Sequence, residues 1–91
     1  MKKHLNIKIY GQVQGVNFRH YTKKKARESG LFGFARNERD GTVYIEAEGD
    51  EKKLKDFLVW CGSGPEWAAV EKVEYEFSLE LKDYQRFVIY N

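Results

Sequence analysis

Residues 32–48 read FGFARNERDGTVYIEAE, and their reading decides the fold. Asp40-Gly41 is a strong signal for a tight turn between two antiparallel strands. After the turn, Thr42 to Glu48 alternates, with Val43, Ile45 and Ala47 on one face. Before it, Phe32 to Asn37 is short and apolar enough for a partner strand. A hairpin therefore stands at the centre of the chain, and each flank must supply what covers it.

Working outward, Phe18 to Gly30 has helical spacing at Phe18, Tyr21, Thr22, Ala26 and Ser29. Lys23, Lys24, Lys25, Arg27 and Glu28 fill the other positions, and Gly30 is a helix stop. Further upstream, His4 to Tyr10 alternates, with Leu5, Ile7 and Ile9 on one face. On the other flank, Asp50 can cap a second helix over 51–61, striped by Leu54, Phe57, Leu58 and Cys61. Gly62-Ser63-Gly64-Pro65 breaks it. Val73, Tyr75 and Phe77 mark a fourth strand, and Tyr84 to Tyr90 a fifth, at an edge. The order is β-α-β-β-α-β plus a C-terminal edge strand. Right-handed crossovers turn that order into an α+β, ferredoxin-like α/β sandwich, with an antiparallel sheet and both helices on one face.

The 91 residues suffice for one domain, 1–91. Hydrophobic residues make up 42% and charged ones 33%, which argues against disorder. Sixteen basic and fourteen acidic residues leave a net charge of +2, too weak to point to nucleic acid or a membrane surface. A small anion remains a good partner if the positive charge is local. Cys61 is the only cysteine, so no internal disulfide forms, and a reducing, cytoplasmic setting is expected. The N-terminal MKKHLNIKIYG alternates like a strand and lacks the apolar run of a signal peptide. No segment approaches the roughly 18 apolar residues of a membrane span. A monomer is expected.

The topology brings distant residues together. The first two strands run parallel because a helix joins them, so they end at the same edge of the sheet. The 11–17 loop leaves the first strand there, Asn37 ends the second there, and the helix begins there with Phe18 and Arg19. Glycines at 11 and 15 let successive N–H groups point into one concavity. A helix start adds free donors and partial positive charge, and Arg19 adds a planar fork that matches two phosphate oxygens. Taken singly, two loop glycines are commonly a turn device, an arginine at a helix start a solvated side chain, and an asparagine before a hairpin a turn former. Their convergence is what points to a phosphoryl-sized anion.

GQVQGVNFR at 11–19, GLFGFARN at 30–37 and DGTV at 40–43 resemble the acylphosphatase pattern G-x-V-Q-G-V-x-F-R followed by G-L-x-G-x-V/A-x-N-x-x-D-G-x-V. Gly64-Pro65, Ala69-Val70 and Val73 fit as well, so the resemblance covers nearly the whole chain. It implies hydrolysis of acyl phosphates to a carboxylate and phosphate, with no cofactor and no metal. It assigns phosphate binding to the backbone of Gln12, Val13, Gln14, Gly15, Val16, Asn17 and Phe18 and to the Arg19 side chain, and water positioning to Asn37. Phosphate and sulfate are then competing anions. Asn17 stands at a variable position of the pattern, and Ala35 where many relatives have valine. A carboxylate leaves readily, its acid having a pKa of about 4, so a site without a strong general acid or a metal is chemically sufficient.

His20 follows Arg19 by about 100° around the helix, so it is read as a flanking residue. His4 is read as the start of an exposed strand, Cys61 as core, and Lys23 to Lys25 as a wet helix face. Trp60 and Trp67 flank the Gly-Pro break and are read as packing over it. Tyr10 and Tyr44 fall on the sheet's open face, which raises a rival class, the RNA-recognition motif. Against it, GLFGFA lies on the second strand, lacks the basic start of the RNA signature, and belongs to a nearly neutral chain. A further rival is the N-terminal part of hydrogenase-maturation carbamoyltransferases. With no zinc-finger cysteines after this domain, a free-standing enzyme is expected.

Overall fold

The computed structural model describes residues 1–90. In chain order the elements are β1 (Lys2–Gln12), α1 (Phe18–Glu28), β2 (Phe32–Asn37), β3 (Val43–Asp50), α2 (Glu51–Ser63), β4 (Ala69–Ser78) and β5 (Phe87–Tyr90). The five strands form one sheet in the order β4-β1-β3-β2-β5. Val43, Ile45 and Ala47 of β3 pair across to Ile9, Ile7 and Leu5 of β1. All six are fully buried, and α2 lays Leu54, Phe57 and Cys61 over them, also fully buried. Burying each leucine- or phenylalanine-sized side chain contributes roughly 1.5–3 kcal/mol, so this layer is the main stabilising element. Cys61 belongs to it, and burial pushes its thiol pKa up, away from nucleophilic chemistry.

α1 rests on a thinner stripe of Phe18, Thr22 and Ala26; Tyr21 is 41% exposed. Its end is well determined. Leu31 N–H donates to the Ala26 carbonyl at 2.9 Å and Gly30 N–H to that of Arg27 at 3.1 Å, with Gly30 at φ +70°. This is a Schellman closure, and the left-handed residue it needs is most cheaply glycine. Leu31, 1% exposed, pins the closure to the core.

The sheet is mixed. β1, β2, β3 and β4 pair antiparallel, but β5 runs parallel to β2, Phe87 to Tyr90 lying beside Gly33 to Arg36. This corrects the all-antiparallel expectation, and the connection explains it. Ser78 ends β4 beside His4, and β5 starts beside Gly33. Residues 79–86 thus travel along one end of the sheet to its far edge, and a strand leaving that end must run in the direction of β2. Glu48 holds the connection as it passes. Its carboxylate accepts from the backbone N–H groups of Lys82, Asp83 and Tyr84 and lies 2.6 Å from His4 Nδ1. His4 is therefore buried, 3% exposed, and does not begin an exposed strand as its position suggested. The carboxylate needs a donor beside it once the connection covers the open face.

These carboxylates make the fold acid-sensitive. Burial pushes Glu46 and Glu48 upward, but hydrogen bonds outweigh it, from the Tyr44 and Tyr84 hydroxyls to Glu46 and from the Lys82 N–H and His4 to Glu48. Both end below their ordinary 4.5. Asp40 is held at about 2 by the Thr42 hydroxyl and N–H and by Lys8. A carboxyl with a depressed folded pKa stabilises above its unfolded pKa and loses that contribution as pH falls through the folded value. The unfolding free energy is accordingly expected to fall from near pH 4.5 down to about 2, which urea titrations across that range would measure.

Candidate active site

The segment between β1 and α1 contains two left-handed residues, Gly15 at φ +77° and Asn17 at φ +61°. At Gly15 glycine meets that demand without strain. Alternating hands of this kind fold successive N–H groups into an anion-binding concavity. Asn17 is the N-cap of α1, yet its side chain makes no capping hydrogen bond, and no acidic residue occupies the first turn. The first helical bond runs from Tyr21 N–H to the Asn17 carbonyl at 3.1 Å, so the N–H groups of residues 18–20 precede it. α2 is different. The Asp50 side chain accepts from Lys52 N–H at 3.2 Å, and Glu51 sits in its first turn. The two helices differ at the end where an anion would be received, and only α1 leaves that end open.

That end faces a cleft of about 220 Å³, smaller than the roughly 300–1,000 Å³ of pockets that enclose drug-sized ligands. Val13, Gly15, Asn17, Phe18 and Arg19 border it from the loop and helix. Asn37 borders it from the end of β2, and His20 and Ile89 complete it. Among the described residues no acidic side chain lines it. Arg19 and Asn37 thus share one cleft although 18 positions separate them. Gln12, Gln14 and Val16 do not border it. The Gln14 side chain instead donates to the Glu38 and Thr42 carbonyls at 2.8 and 2.9 Å, tying the loop to the β2–β3 turn that ends with Asn37 on its near side. Val16 packs against the core.

Phe18 anchors the start of α1. It is 2% exposed, packs against Trp60 at 6.0 Å between ring centroids, and has Gly64 so close that a Cβ there would lie 2.7 Å from its ring. The Gly-Pro break after α2 thus supports the site from below. Of the two tryptophans beside it, Trp60 packs inward, while Trp67 is 76% exposed.

Three contributors escaped the reading of the residues. Arg19 is steadied by β5, its Nη1 donating to the Tyr90 carbonyl at 2.7 Å. Ile89 belongs to the same strand, which only the parallel pairing of Ala35 with Ile89 brings near Asn37. His20 joins Arg19 at the cleft despite the angle between them, because side chains in a first turn lean towards the helix N-terminus.

Elsewhere the open face of the sheet carries Phe34 and Tyr44, with Arg36 4.8 Å from the Tyr44 ring centroid. Tyr10 donates to Glu74, and Tyr44 and Tyr84 to Glu46. Carboxylates interleaved among the aromatics oppose a nucleic-acid backbone. Among the described residues no three His, Cys, Asp or Glu side chains gather to hold a metal ion, and no helix is long and apolar enough to cross a membrane.

The acylphosphatase family model matches residues 5–89. The acylphosphatase of Caldanaerobacter subterraneus subsp. tengcongensis is 42% identical over 91 residues, 99% of this chain and 100% of that one. The crystal structure of acylphosphatase from Bacillus subtilis superposes with a TM-score of 0.95 at 32% identity, covering 98% of this chain and 99% of the other. HypF from T. kodakarensis contains a similar unit, TM-score 0.84 and 26% identity over 98% of this chain but only 12% of its own. With nearly its full described length matched in sequence and in fold, this chain belongs to the acylphosphatase family.

Proposed function

We propose that this protein hydrolyses the carboxyl–phosphate bond of acyl phosphates, releasing a carboxylate and inorganic phosphate, without a metal. The observation that carries this reading is the single cleft shared by Arg19, Asn37 and the uncapped start of α1. Of the 12–18 backbone, the part that borders the cleft, at Val13, Gly15, Asn17 and Phe18, and the Arg19 fork hold the phosphoryl oxygens and take up charge as the bond to the leaving oxygen loosens. Asn37 aims a water in line with that bond. The water oxygen bonds to phosphorus, the acyl oxygen departs with the bonding pair as a carboxylate, and the water's proton passes to a phosphate oxygen. The carboxylate is stable as it leaves, so placement and charge stabilisation are enough. A monomer in the reducing cytoplasm is the working unit.

Asn37→Ala is expected to lower kcat by about a hundred-fold, the size of a lost positioning interaction, with inhibition by phosphate nearly unchanged. Steady-state kinetics with phosphate as competitor measures both. Parallel loss of turnover and phosphate affinity would make Asn37 a phosphate ligand instead. The activity itself is tested with benzoyl phosphate in the presence of a chelator. Breakdown that persists, and that phosphate and sulfate inhibit competitively, is expected; loss of breakdown on chelation contradicts the metal-free reading.

A further inference from the structure

Hydrolysis at the phosphoryl end uses Arg19, Asn37 and the loop but gives no task to His20 or to the helix face behind it. Lys3, Lys8, Arg36, Lys55 and Lys72 each pair with a carboxylate. Among the described residues no cation of α1 does so. Arg19 and Arg27 donate to the Tyr90 and Phe87 carbonyls. Lys23, Lys24 and Lys25 complete the set, against one acid, Glu28. The helix that opens the cleft thus carries five arginines and lysines against one acid, a local positive charge on a chain whose net charge is only +2. His20 is exposed, borders the cleft, and meets the Tyr21 ring edge-on at 5.4 Å. Lys24 lies one turn behind it, on the same helix side.

If the phosphoryl group sits at the loop and Arg19, the acyl group meets the rest of the cleft lining, which includes the exposed His20 and the half-buried Ile89. Ile89 offers apolar contact. The His20 ring can donate a hydrogen bond, and Lys24 adds charge just beyond it. We propose that His20, backed by Lys24, is the specificity-determining wall for the acyl group, favouring acyl phosphates whose acyl part carries a further carboxylate. This inference rests on the hydrolase reading above.

The test compares 4-carboxybenzoyl phosphate with benzoyl phosphate, which differ only in that carboxylate. The wild type is expected to favour the carboxylated substrate in kcat/KM. In His20→Ala the ratio should fall about three- to five-fold, the size of an exposed charged contact, mainly through KM. Lys24→Gln, on the outer face of the helix, should lower it in the same direction, and the double variant further. A ratio unchanged in all three variants overturns the proposal, as does an equal loss on both substrates, which would place His20 at the phosphoryl end. In those cases hydrolysis itself stands. A wild type that cleaves neither substrate removes the hydrolase reading and this inference with it.

Discussion

Arg19→Ala is expected to lower kcat/KM for a small acyl phosphate by about 10²–10³-fold, or about 3–4 kcal/mol of transition-state stabilisation, while the protein stays folded. The two halves of that expectation have separate causes. The guanidinium borders a cleft that, among the described residues, has no acidic lining, so it is free to take up charge developing on the phosphoryl oxygens. Among the described residues the side chain makes one hydrogen bond, at the surface, to the Tyr90 carbonyl, and losing such a bond costs about 1 kcal/mol or less. Arg19→Lys should recover only part of the loss, because a point charge cannot reproduce the fork. Steady-state kinetics beside urea denaturation separates the two effects. Near-normal turnover in Arg19→Ala would remove the residue from the mechanism.

Glu48→Ala should be the most damaging substitution for stability outside the apolar core. The carboxylate is 3% exposed and serves as acceptor for His4 and for three consecutive backbone N–H groups, of Lys82, Asp83 and Tyr84. Alanine leaves all four without this partner, and His4 beside it is itself buried. Removing one member of a buried charged network typically costs about 3–5 kcal/mol, against a total of about 5–15 kcal/mol for a domain. The released connection leads directly into β5, which holds Ile89 at the cleft and the Tyr90 carbonyl against Arg19. Activity should therefore fall at temperatures where the variant is still folded. A urea midpoint within error of the wild type would show that Glu48 does not hold the connection.

The hairpin, both helices and the meeting of Arg19 with Asn37 were legible in the sequence. Each follows from a local rule. Asp40-Gly41 fixes the turn, Leu54, Phe57 and Cys61 fix a helix face, and one crossover sends two strand ends to the same edge. What escaped depends on the 79–86 connection. Its path is held by Glu48, and by Glu46 through the Tyr84 hydroxyl, two side chains whose alternation marked them only as facing away from the helices. Nothing local reveals that three N–H groups from beyond position 80 will meet Glu48. The direction of β5, the burial of His4 and the contributions of Ile89 and Tyr90 all follow from those long-range contacts. His20 was hidden differently. The 100° step separates it from Arg19 around the helix axis, but at a helix start the lean of both side chains along the axis brings them to the same opening.

A crystal structure with inorganic phosphate bound tests the central claim most directly. The ion should sit over the start of α1, within hydrogen-bonding distance of the Arg19 guanidinium and of backbone N–H groups between Val13 and Arg19, with the Asn37 carboxamide bordering the same ion. Phosphate bound elsewhere, or Arg19 and Asn37 held too far apart to border one tetrahedral ion, would contradict it.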